Sequence, residues 1–183
     1  MIAVNPIRDK KKLEAMKKVL KSQNLRNWLL FVLGINSGLR ISDLLQLSVN
    51  NVKGKVRVNI HEVKTGKEKD FPLSEVCIKA IKEYLIETNL PGTSPLFPSR
   101  KGGQAISRVQ AYRIINAGAR TVGITDPIGT HTMRKTFGYH AYQSGIDICW
   151  IQKLLNHSAP SVSLNYIGIT KDDLDSVYIN LNL

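Results

Sequence analysis

Four residues with chemistry to offer fall within one stretch of 36, HTMRKTFGYHAYQSGIDICWIQKLLNHSAPSVSLNY, from His131 to Tyr166. His131 and Arg134 are three apart, and on a helix that spacing puts imidazole and guanidinium on one face. Thr130 is the expected cap of a helix starting at His131, so both groups lie where free N–H groups and the helix dipole favour an anion. Gly145 is a natural helix stop, after which Ile148, Ile151, Leu154 and Leu155 form an apolar run that leads to His157. Tyr166 follows nine residues later. A tyrosine hydroxyl is a nucleophile, an imidazole a proton acceptor and a guanidinium an oxyanion clamp, so the set is suited to phosphoryl transfer. Taken singly, each has a plainer role: a histidine bonded within the fold, an arginine on the surface. Zinc is a weak alternative for His131, His140, Cys149 and His157, because their spacing matches no common site and no Cys-x-x-Cys accompanies them.

Upstream, GLRISDLLQL sets Arg40 among apolar residues on an expected helix, where an unpaired charge is costly. Asp43, three residues on, is its natural partner. Spacing alone leaves open whether that pair is structural or whether Asp43 aims Arg40 at an external anion. Further on, Val56, Val58 and Ile60 alternate with Arg57 and Asn59, the period of a half-buried strand. Flanking strands are expected near 47–52, through Lys53-Gly54-Lys55, and near 69–73, through Lys64-Thr65-Gly66-Lys67. The second hairpin tip carries Lys64. Such a lysine often protects a sheet edge, but a tip can also deliver its amine to a site built by helices.

The remaining elements are helices. A Lys-rich first helix turns Leu13, Met16 and Leu20 inward; a second runs through NWLLFVLGINSG, broken at Gly34 and Gly38. Ser74 caps a helix ending near Asn89, and Ser107 caps a basic one bearing Arg108, Arg113 and Arg120. Between these two helices, LPGTSPLFPSRKGGQAIS is a surface loop pinned by Leu96 and Phe97. The expected class is α+β and mainly α-helical, with a small three-stranded antiparallel sheet, in one domain over 1–170 followed by an acidic tail over 171–183.

The formal net charge is +12, distributed as +9 over residues 1–70, +5 over 71–170 and −2 over 171–183. So strong a bias favours a polyanionic partner, with nucleic acid ahead of an anionic membrane surface. Lys10, Lys11, Lys12, Lys67, Arg108, Arg113 and Lys135 are the expected DNA-contacting residues, although a basic run is also an ordinary solvated face. No apolar run is long enough to span a membrane, so a cytoplasmic protein is expected. Cys77 and Cys149 sit in apolar helical contexts and are expected to be reduced core residues.

GLRISDLLQL, VKTGKEKDFPL, HTMRKTF and LLNHSAPSVSLNY, in this order and at these intervals, resemble the catalytic domain of the tyrosine recombinases, or phage-type integrases. The resemblance runs from about Pro6 to Tyr166. It makes Arg40 and Arg134 the two catalytic arginines, Lys64 the hairpin lysine, His131 and His157 the two histidines, Tyr166 the nucleophile and Asp43 a support for Arg40. It implies cleavage and rejoining of double-stranded DNA through a 3′-phosphotyrosyl bond, without metal, ATP or other cofactor. His131 would take the tyrosine proton, Lys64 protonate the leaving 5′-oxygen and His157 hydrogen-bond a phosphate oxygen. It also implies partner protomers in a tetrameric synapse, with weak or no association away from DNA.

Lys135 stands where many members have a histidine, and Asn156 where a glycine often precedes the later histidine. The family's N-terminal core-binding domain is not expected in this chain, which leaves half of a DNA clamp. The tail from Asp172 to Leu183 is expected to dock as a helix, in cis or in trans. The competing reading is a catalytically silent DNA-binding module that keeps the fold.

Overall fold

The computed structural model describes residues 4–100 and 102–181. Asp9 caps α1 (Lys10–Gln23) by accepting from the Lys11 and Lys12 amides, and Leu13, Met16 and Leu20 are buried along one side. Asn24 caps α2 (Leu25–Ser37), whose run from Trp28 to Gly34 is wholly buried. Burial on every side makes α2 the central helix, packed on by α1, by α5 (Glu75–Thr88) and by α7 (Thr130–Gln143). Gly34 does not break it. The Met133 side chain of α7 occupies the place a Cβ would take, so that glycine permits close helix contact. The stop is Gly38, at φ 62°.

Two short helices follow, α3 (Ile41–Leu45) and α4 (Val49–Val52). Arg40 is the N-cap of α3 rather than a residue within it. The sheet has two strands, not three: β1 (Arg57–His61) pairs antiparallel with β2 (Glu68–Pro72). The expected strand near 47–52 is instead mostly α4. Asn51 Oδ1 accepts from the Ser48 amide at 2.7 Å and starts a helical turn, with Val49 and Val52, three apart, both buried. Ser48 itself bridges only to Pro95. On β1, Val58 and Ile60 face the core.

Leu96 and Phe97 are fully buried and anchor the long loop as expected, and Ser107 caps α6 (Arg108–Thr121). α7 starts one residue earlier than the sequence suggests. Gly129 is its N-cap, and Thr132 Oγ1 accepts from the Gly129 amide at 3.1 Å. A second, smaller core of Ile151, Leu155 and Ile167 joins α7 to α8 (Ile148–Leu154) and α9 (Pro160–Ile167). Gly138 makes that junction possible, since a Cβ there would lie 2.7 Å from Ile167 Cγ2. α7 is thus shared by both cores. Cys77 is buried and Cys149 exposed, both free. Asp147 caps α8, which puts Cys149 in its solvent-facing first turn and corrects the expectation of a core residue.

α10 (Lys171–Leu181) begins at a reciprocal cap between Thr170 and Asp173 and buries none of its residues. Residues 182 and 183 of the expected tail lie outside the described residues. Among the described residues, no helix is long and apolar enough to cross a membrane.

Candidate active site

Arg134, on the second turn of α7, is 2% exposed. Its Nη1 donates to Gly38 O at 2.6 Å and its Nη2 to Leu155 O, so both cores hold it from the backbone side. Burial lowers its pKa, but an arginine remains charged. Arg40 enters from the start of α3. Its Nη1 is 2.7 Å from Glu62 Oε1 and 3.9 Å from Asp43 Oδ2. Both are ion pairs, and neither makes a hydrogen bond. Asp43 Oδ1 accepts from the Val63 amide at 2.9 Å, which ties the end of β1 to α3.

The nucleophile candidate lies against both histidines. Tyr166 Oη lies 3.5 Å from His131 Nδ1, and its ring packs edge-on against His157 at 4.8 Å between centroids. Burial raises the Tyr166 pKa, while the positive charges of Arg134 and Arg40 pull it back. His131 reaches solvent, yet desolvation of its ring lowers its pKa, aided by Arg108, Arg134, Lys135 and Arg40. His157 is driven further, to about 4, by burial and then by the two arginines. Its Nδ1 pairs with Ser163 Oγ at 3.0 Å. Both histidines are therefore neutral near pH 7, and His131 can accept a proton.

The structure brings together Arg40, Asp43, His131, Arg134, His157 and Tyr166. It leaves Lys64 exposed on the β1–β2 turn, without a hydrogen bond or ion pair among the described residues. Lys69 sits closer. Its Nζ donates to Leu154 O at 2.9 Å, and burial first, then Arg134 and Arg40, lower its pKa to about 8. Of the expected DNA-contacting residues, Arg108 and Lys135 flank the site: Arg108 acts on His131, and Lys135 Nζ is 5.2 Å from the centroid of the Tyr166 ring. Lys10, Lys11, Lys67 and Arg113 are exposed, whereas Lys12 donates to Gly123 O at 2.8 Å. Among the described residues, no cluster of His, Cys, Asp or Glu could hold a metal ion.

Glu62 is the member of the site that the sequence motifs pass over. Burial works to raise its pKa, but the hydrogen bond from Thr65, the adjacent Arg40 guanidinium and the hydrogen bond from Asn156 bring it down to about 2. The alternation that buries Val58 and Ile60 carries on one residue past β1 to turn Glu62 inward, and a buried acid requires a partner. With two arginines, two histidines and a tyrosine converging, the site has the donors to bind a tetrahedral anion and a hydroxyl to attack it.

Comparison with known proteins agrees with this chemistry. The model of the phage integrase family matches residues 8–172. A probable integrase/recombinase, YoeC, of Bacillus subtilis is 43% identical over 178 residues, covering 97% of each chain. The tyrosine recombinase XerC of Pelobacter propionicus is 35% identical over 147 residues, covering 78% of this chain and 47% of its own. The chain thus spans nearly all of the Bacillus relative and about half of the Xer relative. In fold it is similar to XerA recombinase, with a TM-score of 0.80 at 20% identity over 100% of this chain and 67% of that one. The catalytic domain of bacteriophage HP1 integrase gives 0.64 at 17% identity, over 98% and 96%. A family match over most of the sequence and a relative this similar along its whole length lead to one conclusion: the chain belongs to the phage integrase family.

Proposed function

We propose that this protein is a site-specific DNA recombinase that cuts and rejoins double-stranded DNA through a 3′-phosphotyrosyl bond to Tyr166. The observation that carries the reading is the Tyr166 hydroxyl, 3.5 Å from His131 Nδ1 and close enough to buried Arg134 for that charge to act on it. Arg40 and Arg134 hold the non-bridging oxygens of the scissile phosphate and offset the charge of its transition state. Tyr166 Oη attacks phosphorus as His131 takes its proton, and the P–O5′ bond breaks. Lys64, delivered by the hairpin tip, protonates the departing 5′-oxygen, and His157 donates to a phosphate oxygen. The phosphotyrosyl ester keeps the bond energy, so attack by a 5′-hydroxyl of a second strand rejoins the DNA without ATP.

DNA engages the basic surface around the site, with Arg108 and Lys135 nearest to it, and synapsis brings further protomers. α10 supports an exchange of tails between protomers: Leu174, Val177, Tyr178, Ile179 and Leu181 are all exposed on it. Acting on DNA, the protein works in the cytoplasm.

A suicide DNA substrate resolved by denaturing electrophoresis tests the reading. A covalent protein–DNA adduct is expected with the wild type and none with Tyr166→Phe. DNA binding by the wild type with no adduct on any integrase-type site would identify a silent DNA-binding module instead.

A further inference from the structure

Glu62 occupies a place that energetics alone disfavours. It is 2% exposed, one residue past β1 and in line with Val58 and Ile60, where a third apolar side chain would be cheaper to bury. Its carboxylate nevertheless stays ionised, because each oxygen is occupied. Oε1 is 2.7 Å from Arg40 Nη1. Oε2 accepts from Thr65 Oγ1 at 2.7 Å and from Asn156 Nδ2 at 3.0 Å. Those partners come from three separate pieces of chain: the start of α3, the hairpin turn and the loop between α8 and α9. Each lies beside a residue of the proposed reaction, Arg40 itself, Lys64 next to Thr65 and His157 next to Asn156.

Asn156 has φ 49°, in the left-handed region where glycine is most at ease and asparagine is the next choice. Glycine would satisfy that backbone and offer nothing to Glu62. Asparagine satisfies it and adds the amide that reaches the carboxylate. The acid and the amide thus form a matched pair, 94 residues apart in sequence.

We propose that Glu62 is the positioning residue of this site, a carboxylate that aims Arg40 and, through Thr65 and Asn156, sets the hairpin tip and the His157 loop relative to it. With Nη1 held by Glu62 and Asp43, the rest of the Arg40 guanidinium keeps its donors for the phosphate. Glu62 touches no reacting atom; it acts through the residues it holds.

The proposal rests on the recombinase reading, and the test separates the two. Single-turnover cleavage of the suicide substrate is measured at saturating DNA, well below the melting temperature of each variant. Glu62→Gln preserves shape and removes the charge. It is expected to slow cleavage by about 100-fold, the scale of a misaimed catalytic group, with Kd for the same DNA unchanged. Asn156→Gly, which retains the backbone conformation, is expected to slow it roughly tenfold, and the double variant to lose less than the product of the two. Glu62→Asp should recover part of the Gln loss. Cleavage at the wild-type rate by folded Glu62→Gln, with only a lower melting temperature, would show a purely structural role and overturn the proposal. Nitrogen-15 NMR of the arginine side chains gives an independent arm, with the Arg40 signal assigned by Arg40→Lys. Hindered rotation of the Arg40 guanidinium is expected in the wild type and its loss in Glu62→Gln; equal mobility in both would also overturn it. If the wild type forms no adduct, the recombinase reading fails while the NMR arm still decides whether Glu62 holds Arg40.

Discussion

The hydroxyl of Tyr166 stands 3.5 Å from Nδ1 of His131, so α9 presents its tyrosine to the α7 of the same chain. That distance is long for a hydrogen bond and short enough to close on binding. Tyr166→Phe is expected to abolish the covalent adduct and leave DNA affinity within error of the wild type. His131→Gln, which can hydrogen-bond the hydroxyl but not take its proton at neutral pH, is expected to slow cleavage by about 100-fold or more. Gel-resolved adduct formation with time checks both.

The pH dependence of cleavage follows from the lowered pKa of His131. A general base works only when neutral, so the rate falls as pH drops through its folded pKa. Since that pKa is below the ordinary imidazole value of about 6.5, the acid limb of kcat/KM should lie below pH 6.5. A limb centred above 6.5 would exclude His131 as the base.

Stability should also decline towards acid in two windows. His157 is held to about 4 in the folded chain against an ordinary value of 6.5, so the unfolded chain binds the extra proton between these values and stability is lost as pH falls from 6.5 to 4. Glu62, at about 2 against 4.5, is the opposite charge type with the same sign: its stabilisation, present above 4.5, is lost as pH falls towards 2. Urea melts across pH check this, and His157→Gln should flatten only the upper window.

Arg134 serves the fold as well as the chemistry. Arg134→Ala removes the donors to Gly38 O and Leu155 O and is expected to lower unfolding free energy by about 2 to 3 kcal/mol while eliminating cleavage. Arg134→Lys cannot span both carbonyls and should recover neither function in full. Denaturant midpoints alongside adduct assays separate the two losses.

Two lysines of the hairpin are distinguishable by leaving-group chemistry. Lys64→Ala is expected to slow cleavage on ordinary DNA by about 100-fold and to be rescued by a substrate whose 5′ leaving atom needs no protonation. Lys69, whose amine is held by Leu154 O, should not show that rescue. Rescue of Lys69→Ala instead would move the proton donor to Lys69.

Deleting residues 171–183 tests the tail. Light scattering of the protein on DNA should show loss of higher assemblies, since the apolar side chains of α10 stay exposed on their own chain. Unchanged mass with and without the tail would count against exchange.

The sequence by itself determined the helical periods, the caps at Ser74 and Ser107, and the motifs that hold Arg40, His131, Arg134, His157 and Tyr166. These are local: a cap, a turn or a one-face spacing is written within a few residues. Local signals also misled where two elements share a pattern, as with the 47–52 segment, where the Ser48–Asn51 cap decides for a helical turn over a strand. Only the tertiary structure decided which carboxylate pairs with Arg40. Asp43 is three residues away in sequence yet 3.9 Å off in space, while Glu62, on another element, approaches to 2.7 Å. Likewise, only packing brings Lys69 to the arginines and leaves Lys64 at the exposed turn. A charge buried in low dielectric interacts with whatever the fold sets beside it, and that neighbour is fixed by packing rather than by sequence distance.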